Sequence, residues 1–228
     1  MSADYSLMER KIITTSDGSN SLFLPDWDEQ YHSKHGAIQE AYHVFIKNGL
    51  DLFSSQEEVS ILEMGFGTGL NCLISYLEGV KRHLQISYLG IEAYPLMSEI
   101  TEQLNYPKQL KAASFAPVYA KMHSMPWETS SALSENFSLL KKEQRFEDFD
   151  ADPSFNLIYF DAFGARVQPE LWTEDIFTKM FRALKPNGVL VTYSAKGSVR
   201  RAMQASGFTV ERLEGPPGKR EMLRARKI

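Results

Sequence analysis

Short apolar runs alternate with segments whose apolar residues fall at helical spacing along most of this chain. The runs at 59–64, 85–91, 155–160 and 188–194 read as strands, with a weaker one at 137–140. Between and after them, 70–77, 96–104, 173–184 and 198–205 carry helical periodicity. Residues 107–136 read as helical or irregular, because Pro117 and Pro126 interrupt any longer element. The chain ends in two runs, 208–213 and 221–226, around Gly215-Pro216-Pro217-Gly218, which predicts a hairpin. Ahead of the first core strand, 11–15 and 21–24 flank a turn-rich Ser16-Asp17-Gly18-Ser19-Asn20, a second hairpin, and 39–46 reads as a helix. Alternating strands and helices predict an α/β fold with a mostly parallel sheet covered on both faces and antiparallel at its C-terminal end. Residues 1–58 are expected to form a hairpin and helix lobe, a lid or substrate platform, packed on a core of 59–228 as one continuous unit.

The first core strand runs into Glu63-Met64-Gly65-Phe66-Gly67-Thr68-Gly69-Leu70-Asn71. Strand, glycine turn and helix bring backbone N–H groups and a helix N-terminus to a ligand. The pattern is GxGxG, and Leu70 stands where the dinucleotide fingerprint needs its third glycine. That spacing favours an adenosyl ligand without a pyrophosphate, namely S-adenosylmethionine.

Ligands of open α/β sheets bind outside the carboxyl ends of the strands, near the switch in strand order. Three acids lie at such ends: Glu63, Glu92 and Asp161. Glu92, at the end of the second core strand, is placed to accept hydrogen bonds from ribose hydroxyls. Glu63 has two readings, bracing the glycine loop or facing the amino-acid end of the ligand. Asp161, in Tyr159-Phe160-Asp161-Ala162-Phe163-Gly164, is the candidate catalytic group: a carboxylate there can accept N–H bonds from an amine and aim its lone pair at a methyl donor. Phe163 either walls the pocket or packs in the core, and Tyr193 either faces the substrate or closes the sheet. Trp172 reads as a core anchor. His32 and His35 share a helical spacing but lack a compelling third ligand, so no metal is expected.

Composition narrows this only modestly. With 43% hydrophobic and 24% charged residues the chain is ordinary for a globular protein. No apolar run is long enough to span a membrane, and Met1 to Ser6 lack the pattern of a secretory signal. The single cysteine, Cys72, excludes an internal disulfide and fits a reducing cytoplasm. Net charge is −4, but from Lys196 onward nine basic residues face three acidic ones, a net +6 against −10 for the rest. Two readings stand for this: a phosphate-binding face, or an edge strand blunted by charge.

Glu63 with Gly65 to Asn71, Asp161 followed by Gln168-Pro169-Glu170-Leu171-Trp172, 194–201 and Gly218-Lys219-Arg220-Glu221-Met222-Leu223 together resemble the MnmC methyltransferase domain. Tyr31, Ser33, Gly36, Glu40 and Tyr42-His43-Val44-Phe45 extend the likeness into the N-terminal lobe. The resemblance implies a class I S-adenosylmethionine methyltransferase fold, Rossmann-like, with a mostly parallel seven-stranded sheet, an antiparallel C-terminal strand and a small N-terminal lobe. It implies methylation of the aminomethyl group of 5-aminomethyl-2-thiouridine at the tRNA wobble position. Gly65, Gly67, Gly69, Asn71 and Glu92 would then serve the cofactor, Asp161 would sit by the amine, and Arg201, Lys219 and Arg220 would lie near tRNA. The sequence departs from the family after the third strand, where a Gly-Asp for adenine is replaced by Lys142-Glu143-Gln144-Arg145, leaving Gln144 or Glu147 for that contact. Asp161-Ala162-Phe163-Gly164 also differs from the Asp-Gly-Phe-Ala-Pro of bifunctional members. Bifunctional members carry a second, FAD-dependent oxidase domain; this chain looks like the standalone, MnmD-like form, so an upstream enzyme is expected to supply the aminomethyl group. Two other readings stay open: a polyamine-like methyl- or aminopropyltransferase, and a non-catalytic RNA-binding module.

Overall fold

The computed structural model describes residues 8–54 and 57–228, so the reading of Met1 to Ser6 lies outside the described residues. The N-terminal hairpin is present: β1 (Lys11–Thr14) pairs antiparallel with β2 (Asn20–Leu24), and a two-residue β3 (Glu29–Gln30) adds to β2. Asp17 in the turn ties this hairpin to α1 (Ala37–Ala41). Its Oδ2 accepts from the N–H groups of Ile38 and Gln39 at 3.0 and 3.1 Å, and its Oδ1 accepts from Thr15 and Ser19. Burial works against the charged form, yet the hydrogen bonds from Ser19, Gln39 and Thr15 win and hold the carboxyl below its usual value. Asp17→Ala is therefore expected to lose about 0.5–2 kcal/mol, the usual cost of removing a side-chain cap, read as a lower midpoint in thermal melts at neutral pH. Because the pKa is lowered on folding, this contribution exists above the unfolded value of 3.8 and disappears as the pH falls through the folded one. The two proteins should converge in acid.

From α1 the backbone passes directly into a π-helical stretch, Tyr42–Lys47, where the sequence predicts one uninterrupted helix. Within it His43 contacts the carbonyl of Glu214 through Nε2 at 2.7 Å, joining the lobe to the far end of the chain.

The core opens with β4 (Glu58–Met64), followed by α2 (Leu70–Arg82), β5 (Gln85–Glu92), the short α3 (Ser98–Thr101) and α4 (Tyr106–Gln109), and α5 (Ala116–Ser124). Then come β6 (Ser131–Ser134), β7 (Phe137–Glu143), β8 (Phe155–Phe160), α6 (Glu174–Ala183), β9 (Leu184–Thr192), α7 (Gly197–Ala205), β10 (Thr209–Glu214) and β11 (Glu221–Arg226). The strands form one sheet in the order β10-β11-β9-β8-β4-β5-β7-β6. Pairs among β9, β8, β4, β5 and β7 are parallel, and both ends of the sheet are antiparallel.

Among the described residues this sheet has eight strands, not the seven expected. The additional strand is β6, which pairs antiparallel with β7 at the edge. Its sequence, Ser-Ala-Leu-Ser, holds one large apolar side chain, too little for a periodicity argument. β7 outruns its predicted end at residue 140 because Lys141 is buried within it. β9 begins at Leu184, before the predicted 188, with Asn187 at a φ of 64° beside a register shift against β8. The predicted helix at 96–104 contracts to α3.

The alternation of side chains along β4 and β8 decides where the chemistry lies. Val59 and Ile61 pack on the side of α1 and α2, while Leu62 and Met64 pack on the side of α6 and α7. On β8, Leu157 and Tyr159 share the first side, and Ile158 and Phe160 the second. A period of two then carries Glu63 and Asp161 to the face beneath α2.

Candidate active site

β4 sits where strand order reverses, between β8 on one side and β5 on the other, and the glycine loop leaves its carboxyl end. The N–H groups of Gly65 and Phe66 both donate to the carbonyl of Ile91 at 3.0 Å, which ties the loop to the end of β5. Gly65 has a φ of +99°, and a Cβ there would stand 2.6 Å from the carbonyl oxygen of Asp161. Only glycine lets the ends of β4 and β8 approach this closely. Gly90 on β5 has a similar task that sequence reasoning missed: a Cβ there would lie 2.5 Å from the Phe66 ring, which folds over the strand. Gly69 is the left-handed residue that starts α2 and does not line the cavity.

The loop, the strand ends and the N-terminal lobe enclose a cavity of about 830 Å³, in the upper part of the range for small-molecule sites. Glu92 lines it. Its two carboxylate oxygens accept from the N–H groups of Gly67, at 2.9 Å, and Tyr94, at 3.0 Å, so the side chain is oriented before any ligand arrives. Burial raises its pKa, against the pull of those N–H donors.

Asn71, on the first turn of α2, connects the other two acids. Its Nδ2 donates to Glu63 Oε1 and to Asp161 Oδ2, both at 2.9 Å. Glu63 also accepts from the Tyr88 hydroxyl at 2.8 Å, and burial pushes its carboxyl well above the ordinary value. It does not line the cavity, which favours the bracing reading of the two left open by the sequence. Asp161 does line it, and burial together with the charge of Glu40 pushes its pKa up to about 7. A carboxyl poised there can accept a proton near neutral pH.

Other predicted residues separate. Phe163 lines the cavity and stands edge-on to Trp27 and Tyr31, with ring centroids 5.8 and 5.0 Å apart. Its carbonyl accepts from Trp172, which is buried, as read from the sequence. Tyr193 combines its two readings: its hydroxyl donates to the Ala162 carbonyl at 2.7 Å while its ring lies under Lys219. Lys219 lines the cavity, whereas Arg201 and Arg220 are exposed and off it. Gln144 corrects the sequence reading. Its side chain donates to the Asp148 carbonyl and does not line the cavity; Arg145, Phe146 and Glu147 do. The strand-end turn directs Gln144 back onto its own loop.

The structure brings His32 and Glu40 to the cavity wall, His32 as a lining residue rather than a metal ligand, and it buries Lys141 behind the glycine loop, off the cavity. His32 lines the cavity between the hydroxyls of Ser21 and Thr68, and burial lowers its pKa to about 4, so it is neutral. Lys141 donates to the His123 carbonyl and faces the Trp127 ring at 4.8 Å beneath Phe66. The basic tail also resolves into parts. Arg224 and Arg226 pair with Glu211, Arg212 pairs with Glu221, and Lys227 caps carbonyls at the end of α6, so much of the +6 is structural.

Residues 134–228 match the family model described as S-adenosyl-L-methionine-dependent methyltransferase. That match takes in 95 of the 228 residues, the C-terminal part of the chain. The chain is 28% identical, over 94% of its length, to the "tRNA 5-methylaminomethyl-2-thiouridine biosynthesis bifunctional protein MnmC" of Cupriavidus metallidurans. To the protein of the same name from Azoarcus sp. it is 29% identical over 89%. The chain spans about a third of the length of these curated relatives, 33% in both cases. Among solved structures it is similar to MNMC2 from Aquifex aeolicus, with a TM-score of 0.71 at 24% identity, over 96% of this chain and 70% of that one. It also shares its fold with the spermidine synthase of Thermotoga maritima, at a TM-score of 0.51 and 13% identity, over 96% and 74%.

S-adenosylmethionine fits the residues present. Glu92 keeps lone pairs for ribose hydroxyls, and Gly65 and Gly67 present side-chain-free backbone to the cavity. Asn71 Oδ1 is a buried acceptor without a partner among the described residues, which suits the amino group at the amino-acid end of the cofactor.

Proposed function

We propose that this protein is an S-adenosylmethionine-dependent methyltransferase that transfers a methyl group to the primary amine of 5-aminomethyl-(2-thio)uridine at the tRNA wobble position, giving the 5-methylaminomethyl product. The observation that carries the reading is Asp161, a carboxyl at about 7 on the cavity wall beside the glycine loop, in a chain similar over nearly its whole length to proteins named for that modification. Bound S-adenosylmethionine supplies an electrophilic methyl group. The chain supplies the rest. Gly65, Gly67, Asn71 and Glu92 hold the cofactor, with Arg145, Phe146 and Glu147 nearest the position proposed for adenine. Asp161 takes a proton from the arriving ammonium and holds the amine through its remaining N–H bonds, aiming the lone pair for in-line attack. Phe163 walls the acceptor side. The lobe at 1–58 is the acceptor-side platform on the 59–228 core, and Arg201 and Arg220 are the exposed cations offered to the tRNA backbone.

Another enzyme is then needed to provide the aminomethyl group, and a tRNA substrate together with the single buried thiol of Cys72 fits a cytoplasmic setting. Among the described residues no helix is long and apolar enough to cross a membrane. The test is transfer of labelled methyl groups to tRNA isolated from cells lacking this protein, followed by nucleoside analysis. Label in 5-methylaminomethyl-(2-thio)uridine supports the reading. Absence of that nucleoside, or equal methylation of free polyamines without RNA, overturns it.

A further inference from the structure

Lys219 is a weak candidate for holding a phosphate. Its Nζ donates to Glu40 Oε1 at 2.7 Å and stands 3.8 Å from the centre of the Tyr193 ring. Glu40 is buried in the N-terminal lobe, and its second oxygen accepts from the Ser33 N–H at 2.8 Å. The backbone holds Lys219 as firmly. Its N–H donates to the Pro216 carbonyl, and the preceding Gly218, at a φ of +86°, is pressed so closely on His35 that a Cβ would overlap the imidazole. A lysine that binds tRNA phosphate gains by presenting its ammonium to solvent. Here the ammonium is engaged by a carboxylate and a ring on the wall of the cavity that also holds Asp161.

We infer that Lys219, clamped by Glu40 and Tyr193, is a positioning charge that keeps Asp161 ionised until the acceptor arrives, so that the carboxylate can take the ammonium's proton and leave the amine's lone pair free to attack. This rests on the amine-acceptor reading above and deepens it. An alkylamine is mostly protonated at neutral pH, and a fixed cation in a desolvated cavity disfavours that form while favouring a carboxylate. The groups around Asp161 divide by sign. Glu40 on α1 and buried Glu63 on β4 oppose its ionisation; Lys219 from the β10-β11 turn favours it; Asn71 on α2 donates to it. The Tyr193 hydroxyl is un-ionised and engaged by Ala162, His32 is neutral, His35 sits against the Lys219 turn, and Glu29 lies on the cavity wall. Lys34 and Arg145 also line the cavity, and Lys219 is the cation whose charge acts on this carboxyl. Glu40 holds it in place and limits its field.

The experiment compares wild type, Lys219→Met, Lys219→Arg and Glu40→Gln in two measurements. The first is the ¹³C titration of the Asp161 carboxyl in protein without cofactor or tRNA, assigned by its loss in Asp161→Asn. Lys219→Met should raise the midpoint by about half a unit to one unit, Glu40→Gln should lower it, and Lys219→Arg should leave it near wild type. The second is the pH profile of kcat/KM for tRNA methylation. In Lys219→Met its acid limb should move to higher pH, costing about three- to tenfold below neutrality and little above pH ~9. A midpoint and a limb that do not move in Lys219→Met, with a uniform rise in KM that steepens with salt, would instead make Lys219 a phosphate contact and overturn the inference. Should Lys219→Met fail to fold by melting and cofactor calorimetry, Glu40→Gln and Lys219→Arg decide the same question, an unmoved Glu40→Gln midpoint counting against the pair. Wild type that methylates no tRNA overturns the proposed function, and the substrate-free titration still judges the charge pair.

Discussion

Asp161→Asn should lose methyl transfer by about two to four orders of magnitude, the usual range for a positioned general base, while binding S-adenosylmethionine within about threefold of wild type. Asparagine keeps the size of the side chain and an oxygen that can accept from Asn71, so the contact between β8 and α2 survives. What disappears is the capacity to take a proton. Calorimetry of cofactor binding and single-turnover transfer to tRNA separate the two effects. In wild type, the carboxyl pushed up to about 7 requires that kcat/KM fall as the pH drops below that value, because the protonated acid cannot accept from the ammonium. Stability carries a linked sign. The pKa is raised on folding, so the stabilisation of the protonated form is fully present below the unfolded value of 3.8 and lost as the pH rises through about 7. Asp161→Asn escapes that loss. Its melting advantage over wild type should open between those values and level off above the higher one. Equal transfer rates for the two proteins would remove Asp161 from the chemistry.

Gly65→Ala should fail differently, weakening the cofactor and the fold together. The φ of +99° is disfavoured for alanine, and strain of this kind costs about 1–3 kcal/mol. The new Cβ also meets backbone, the Asp161 carbonyl at 2.6 Å, which cannot rotate aside. Relief requires the ends of β4 and β8 to part, and that breaks the shared hydrogen bonds to Ile91 and moves Asp161 itself. The expected result is cofactor affinity reduced at least about tenfold, since 1.4 kcal/mol already corresponds to that factor, with a lower melting midpoint and loss of transfer. Unchanged affinity in calorimetry would mean that the glycine loop is not the cofactor cradle. Read together, the two variants distinguish a residue that acts on the acceptor from one that builds the donor site.

Much of this was legible in the linear sequence because it depends on short-range rules. The period-two pattern of β4 and β8 already places Glu63 and Asp161 on one face, and the Gly65 to Gly69 turn announces a strand that stops and a helix that starts. The hairpins at both ends follow from local turn chemistry. Misreadings fell where local signals were weak or misleading. β6 has a single apolar anchor, and buried Lys141 looks like the end of a strand. Gln144 occupies a plausible position for an adenine contact, but its side chain closes on Asp148.

Long-range pairing belongs to the tertiary structure. Lys219 and Glu40 are 179 residues apart, and nothing in either local sequence says that a basic turn residue will meet an acid of the N-terminal lobe over the ring of Tyr193. Asn71 likewise becomes the bridge between two acids only because β4 and β8 are neighbours. Residue type and spacing determined which groups stand at the strand ends. Packing decided which of them share a cavity, which are buried enough to change their protonation, and which charges only secure the fold, because desolvation and Coulomb terms depend on distances that periodicity does not contain.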